Sequence, residues 1–429
     1  MESMNNNVSS VNEERLLNRV LLVSSGQGGM AIANEIMSTA KSTEFTNMTE
    51  FKLVGIISSA TDLIKVKNNP NVSGVINIAP EGGGAGADRV TARGMVDRSD
   101  AVTMLTDIIN SNVYDMIVYV ATAGGGTGSG SIPYIARQMS DIFIDIPMVI
   151  IAAVPEMNTR VGEARAIENA VWFGQEVVEL IENDDTRLGV AICQTNNTDY
   201  GINAGYRATN KAIAENFILT LNAFETSKDR SESDSIDAGD LDRLVGWGGA
   251  WGWFHNPSID LTDLRDEEVS DEFLVRLIEE HPWFLVEGGD ARPNIMIVAT
   301  IPEELEAPMR AASDYLNEYL GTGGTNRIAY VKPQDGEAPS VSIMVTDTSM
   351  PVQWIQDGAV ILADQEAKRQ ATKKKLGTVN KLTRKLGRTA EESRTPRRRS
   401  AATPTGGQGG FVRNRSAETA TVGSSQETA

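Results

Sequence analysis

The chain has 429 residues, 41% hydrophobic and 23% charged, enough for one large domain or two to three ordinary ones at ~150 residues each. Its 39 glycines and 15 prolines fall in no repeat and fit a globular α/β chain rather than a collagen-like or wholly disordered one. Cys193 is the single cysteine and His255 and His281 the two histidines, which excludes an internal disulfide, argues against an ordinary zinc site and suits a reducing compartment.

Charge is unevenly divided. Residues 366–429 hold 15 Lys and Arg against 5 Asp and Glu, whereas residues 1–365 hold 24 against 53. So acidic a body repels nucleic acid and membrane surfaces, while the basic tail is drawn to polyanions, other copies of the body included. Only 7 of the body's 24 basic residues are lysines, which suits a high-salt cytoplasm but is also ordinary solubility chemistry. No stretch approaches the ~18 consecutive apolar residues of a membrane helix. Residues 1–10 lack the basic-then-apolar order of a secretory signal, so a cytoplasmic protein with a disordered leader over 1–18 is expected.

Apolar runs at 20–23, 53–57, 75–78, 116–120, 148–152 and 188–193 are mostly continuous rather than alternating, the pattern of strands covered on both faces. Helical patterns lie between several of them at 30–40, 94–110, 132–139 and 162–181, so the order predicts α/β architecture with a mainly parallel, doubly wound sheet. A long helix follows over 206–227, then a charged segment and a helix over 240–254. Residues 272–350 read as a smaller α+β unit: helix 272–281, strand 294–300, helix 302–320, strands 327–331 and 341–346. A helix over 357–372 runs into the tail, where Leu376, Val379, Leu382 and Leu386 among lysines and arginines make 370–388 a basic amphipathic candidate. Residues 395–410 hold too few apolar side chains to fold alone.

Two glycine clusters follow strands and open helices. The first is Ser25-Gly26-Gln27-Gly28-Gly29; the second is Gly124-Gly125-Gly126-Thr127-Gly128-Ser129-Gly130. Glycine permits positive-φ turns and close backbone approach, so amide N–H groups and a helix N-terminus can hold phosphate oxygens, with the Thr127 and Ser129 hydroxyls as further donors. The second cluster has no lysine and departs from the GxxxxGK[ST] loop. The first meets a dinucleotide fingerprint only in its alanine-ending form, without a ribose-binding acid after Ile57.

The second cluster resembles the signature loop of the tubulin/FtsZ superfamily. One strand earlier, Gly84, Ala85 and Gly86 resemble that family's γ-phosphate loop. Gly26, Gln27, Gly28 and Gly29 are similar to its first phosphate loop, closer in the glutamine to tubulin and the plasmid and phage TubZ proteins than to FtsZ. Met30 and Ala31 replace family asparagines, a departure expected to loosen the α-phosphate grip. The likeness runs from about residue 19 to 365 and implies a GTP-binding domain over 19–205, a central helix and linker over 206–234, a second, activating domain with a C-terminal helix over 235–365, and a basic tail over 366–429. It further implies GTP or GDP with Mg²⁺.

Asp237 and Asp240 resemble the family's catalytic loop, in which two acids from one subunit enter the nucleotide site of the next. Without function, the same pair reads as a helix N-cap and first-turn acid. By resemblance Asn196 reads the base edge and Glu163 and Arg165 meet the sugar, and each is equally an ordinary surface residue. The base-stacking position is either Ile213, by spacing, or Tyr206 with Asn210, by chemistry. Trp247, Trp251 and Trp253 are expected to pack rather than bind ligand, and no metal ligand is assigned.

The implied function is a GTP-dependent head-to-tail homopolymer that hydrolyses GTP between subunits. The tail lacks an FtsZ-like terminal peptide and resembles the TubZ arrangement that engages a DNA-bound adaptor, which favours plasmid or phage DNA segregation. The alternatives are a cell-division or cell-shape GTPase, and a non-hydrolysing structural or regulatory paralogue whose tail binds DNA or membrane.

Overall fold

The computed structural model describes residues 16–392 apart from 44, 46–48, 158–163, 183–186, 195–201, 232–235, 246–247, 281–283, 289–291 and 322. Strand β1 (Arg19–Ser25), helix α1 (Gly26–Ser42), β2 (Glu50–Ile57), α2 (Ala60–Lys67) and β3 (Val72–Asn77) open the chain. Then come α3 (Arg89–Asp97), α4 (Ala101–Asn110), β4 (Met116–Thr122), α5 (Gly126–Ile142), β5 (Met148–Val154), α6 (Ala164–Ile181) and β6 (Leu188–Gln194). The second half holds α7 (Ile202–Arg230), α8 (Ala238–Leu244), β7 (Ala250–Asn256), α9 (Phe273–Glu280), β8 (Asn294–Thr300), α10 (Glu306–Leu320), β9 (Asn326–Val331), β10 (Ser340–Thr348) and α11 (Gln353–Glu392).

The ten strands form one sheet in the order β3-β2-β1-β4-β5-β6-β7-β10-β8-β9. Strands β1 to β6 pair in parallel, β6 meets β7 in parallel at Val190↔Ala250, and β10 alone runs against its neighbours β7 and β8. Alternate residues of the central strands enter opposite cores: Val20 and Leu22 join α1 and α7, while Leu21 and Val23 join α5 and α6. Burial of both faces accounts for the continuous apolar runs in the sequence. Residues up to 368 form one compact unit and those from 369 a second.

The structure splits the helix expected over 94–110 into α3 and α4, and replaces most of that expected over 240–254. Helix α8 ends at Leu244, Gly249 turns at φ 75°, and a strand follows. Alternating aromatic residues fit a pleated surface better than a helix, and β7 pairs with β10 from Gly252↔Val345 to Asn256↔Val341. Trp251 and Trp253 are fully buried, Trp253 edge-on to Phe217 at 5.0 Å and Phe284 at 5.4 Å. They pack the core, as expected; Trp247 and His281 lie outside the described residues.

Candidate nucleotide site

In the first six strands the order reverses at β1, whose neighbours are β2 and β4. Open α/β sheets bind ligands outside the carboxyl ends of strands at such a switch point. Both glycine clusters lie there: α1 starts directly after β1, and α5 four residues after β4. A helix leaves its first N–H groups without intrahelical partners. The N-caps of α1 and α5, Ser25 and Gly125, supply no side-chain bond to them. By contrast, Ser59 caps α2 and Asp88 caps α3. The two adjacent helix starts thus present uncapped amides and the positive ends of two helix dipoles, an anion-binding arrangement.

Close packing holds the two starts together. A Cβ on Gly29 would run into the Val120 carbonyl of β4, and one on Gly126 would stand 2.5 Å from the Asp88 nitrogen. Gly126, Gly128, Ser129 and Gly130 are buried, and the Ser129 hydroxyl donates to the Gly125 carbonyl, so it serves the helix rather than the cleft. Thr127 Oγ1 pairs with Ser58 Oγ at 2.8 Å, and Gln27 Nε2 donates to Asp62 on α2. Ser58 and Asp62 carry no motif in the sequence; only the fold brings them here.

A cleft of about 410 Å³ opens over these loops, within the range of small-molecule sites. Gln27, Gly28, Ala31, Thr122, Gly124 and Gly125 line its glycine side, with Pro155 and Ala166 beside them and Tyr206 and Asn210 of α7 also in its wall. Tyr206 is 46% exposed, whereas Ile213 is fully buried among core residues. Of the two alternatives, only Tyr206 presents a ring to the cleft.

Gly82, Gly83, Gly84, Gly86 and Ala87 all have positive φ, and Ala85 is buried. This loop leads into Asp88, which accepts the Thr91 amide at 2.9 Å and the Arg165 guanidinium at 2.9 Å. The Thr91 N–H first, and Arg165 after it, hold the Asp88 carboxyl below its ordinary value. Arg165 therefore meets the loop at its carboxylate end. Glu163 and Asn196 lie outside the described residues.

Asp237 and Asp240 form a capping box at the start of α8: Asp237 Oδ1 accepts the Asp240 amide at 2.8 Å, and Asp240 Oδ2 faces the Asp237 amide at 3.4 Å. Asp240 also lies 3.6 Å from Arg327 Nε and 3.8 Å from Arg243, with its side chain 13% exposed, while Asp237 is exposed. Arg327 is the second residue of β9, and β9 runs parallel to β1 and β4 through the pairings above. The acids thus sit at the amino-end edge of the sheet and the glycine loops at its carboxyl-end edge. Helix α7, 29 residues long, lines the cleft near its start with Tyr206 and Asn210 and ends at Arg230, which bonds the Lys332 carbonyl and Glu337; it measures about 43 Å at ~1.5 Å per residue.

Residues 19–186 match the Tubulin/FtsZ family, GTPase domain. The match takes in less than half of the chain, and the chain spans a little over half the length of the curated relatives it matches. Among sequence relatives, tubulin-like protein CetZ2 of Haloferax volcanii is 24% identical over 221 residues, covering 50% of this chain and 57% of that protein. Among solved structures, the GTPγS-bound protofilament of CetZ2 from Haloferax volcanii superposes with TM-score 0.60 at 18% identity, covering 82% of this chain and 99% of that one. The GTPγS-form protofilament of Bacillus thuringiensis TubZ gives 0.61 at 15% identity, covering 86% and 95%. At these identities the structural likeness establishes the fold alone. No helix among the described residues is long and apolar enough to cross a membrane.

Proposed function

We propose that this protein is a polymerising GTPase whose catalytic site is completed by a second copy of itself. The observation carrying the proposal is the placement of the uncapped glycine cradle and the acid pair on opposite edges of one sheet. A chain so built cannot bring its own acids to its own cleft, but copies stacked head to tail can. Such a contact does not close on itself and generates an open filament.

In this reading the first-turn amides of α1 and α5 hold the phosphates of GTP, and Tyr206 and Asn210 hold the nucleoside. Asp237 and Asp240 of the next copy accept hydrogen bonds from the attacking water and align it with the terminal phosphate. The products are GDP and phosphate. Among the described residues no cluster of three or more His, Cys, Asp or Glu stands ready for a metal, so Mg²⁺ would enter with the phosphates, keep most of its waters and neutralise their charge. The basic segment from 366 is the natural carrier of cargo, a DNA-bound adaptor or another polyanion in a cytoplasmic setting. A second reading keeps the enzyme and gives the filament a role in cell shape or division instead of DNA segregation.

The test is phosphate release against protein concentration. Steep, threshold-like dependence is expected, together with filaments in micrographs with GTP that are lost with GDP. Asp240→Asn, which keeps the capping geometry, should leave filaments and slow turnover. Turnover strictly proportional to enzyme from the lowest concentrations would defeat the proposal.

A further inference from the structure

Asn169, on α6, bridges the two glycine-rich loops on the phosphate side of the cleft. Its Nδ2 donates to the Ala87 carbonyl at 2.9 Å and to the Gly124 carbonyl at 3.1 Å. An amide nitrogen carries two hydrogens, so both bonds are made at once. Asn169 is 3% exposed. Ala87 has φ 58°, an unfavourable conformation for a residue with a Cβ, and it ends a run in which four glycines are also left-handed. Such a segment has many alternatives open to it unless something holds it.

Two other contacts hold the same segment. The Ala87–Asp88 backbone presses on the start of α5 at Gly126, where no Cβ would fit, and Arg165 grips Asp88 at 2.9 Å. The first is a packing contact and the second acts at Asp88, after Ala87. Asn169 is the side chain that hydrogen-bonds carbonyls of both loops, and one of its bonds falls at the strained residue.

Resting on the GTP reading above, we propose that Asn169 is a positioning residue that fixes the spacing of the 84–87 loop from the 124–126 loop and thereby makes the cleft discriminate a nucleoside triphosphate from a diphosphate. A diphosphate is held by the α1 and α5 amides alone. A third phosphate also needs the amides of the 84–87 loop, and these face it only while the loop is latched. Buried donors that bind two carbonyls at once set geometry sharply, because the loss of the side chain frees both loops together.

The experiment measures the affinities of fluorescent GTPγS and GDP analogues for the full chain and for Asn169→Leu, which keeps the γ-branched shape in a larger side chain and removes both bonds. In the variant the GTPγS affinity should fall about tenfold, the scale of one or two net hydrogen bonds, while GDP affinity changes less than about threefold on the same scale. Asn169→Thr, which keeps one donor in a smaller side chain, should lie between. A parallel drop for both nucleotides, or no drop, overturns the positioning role.

Hydrogen exchange on the wild-type chain decides the matter if neither variant folds: amides of 84–88 should be protected by GTPγS and not by GDP, and equal protection overturns the proposal. A wild-type chain that binds neither analogue defeats the GTPase reading itself. A wild-type chain that prefers GTPγS while Asn169→Leu keeps the same preference defeats only the role of Asn169.

Discussion

Replacing Tyr206 by alanine should weaken nucleotide binding without weakening the fold. The ring stands in the cleft wall with Asn210 one turn further along α7, and 46% of the residue is open to solvent. Stacking of a base on an aromatic ring contributes ~1–3 kcal/mol by alanine substitution. With roughly half of Tyr206 already covered by protein, the lower half of that range applies, about 1–2 kcal/mol or roughly a five- to thirtyfold rise in Kd. Equilibrium titration with GDP measures this directly and is independent of polymerisation. Tyr206→Phe should bind within about twofold of wild type, since the ring face is retained. Ile213→Ala is the contrasting variant: Ile213 is fully buried, so its loss should cost about 2–5 kcal/mol of stability and leave the affinity of the remaining folded protein unchanged. If Tyr206→Ala binds GDP as wild type does, or if Ile213→Ala selectively loses binding, the assignment of the stacking position is wrong.

Gly126→Ala should lower both thermal stability and nucleotide affinity, because the added methyl stands 2.5 Å from the Asp88 nitrogen and must push α5 and the 84–88 loop apart; overpacking of this kind costs about 1–3 kcal/mol in a melting experiment. His255 is packed between α7 and β10, with Nδ1 2.8 Å from Ser342 Oγ and its amide donating to Asn216 Oδ1. Burial pushes its pKa down to about 4 from 6.5. Between those values the unfolded chain binds a proton that the folded chain refuses, so stability present above pH 6.5 is lost as pH falls toward 4, by about 3 kcal/mol in all. Thermal melts of wild type and His255→Gln at several pH values check this: the difference between the two curves should shrink across that window, and a constant difference would show that the ring titrates alike in both states.

The strands were legible because a sheet covered on both faces writes itself as continuous apolar runs, and β8 spans the same residues, 294–300, in pattern and in structure. The glycine loops were legible for a similar reason: no other residue tolerates those turns and contacts, so the composition is local and conspicuous. What failed was a segment with two consistent readings. Trp247 and Trp251, four apart, suit a helix face, whereas Trp251 and Trp253, two apart, suit a strand face, and pairing with β10, about ninety residues later in the chain, decides for the strand. The site was legible where it is built from a contiguous loop and incomplete where the fold assembles it. Ser58, Asp62, Thr122 and Asn169 come from four separate elements or turns, and no spacing in the sequence joins them. Asp237 and Asp240 illustrate the opposite case, since one short motif is at once a structural cap and a candidate trigger.

The central claim is that cradle and acids act across a junction between copies, and mixing two defective proteins tests it most directly. One carries Tyr206→Ala with Asn210→Ala and keeps its acids; the other carries Asp237→Asn with Asp240→Asn and keeps its cradle. At a GTP concentration that fills only the intact cradle, each alone should release little phosphate. An equimolar mixture should exceed the sum of the two severalfold, because the acids of the first meet the nucleotide of the second. A mixture that releases no more than that sum would contradict the shared site.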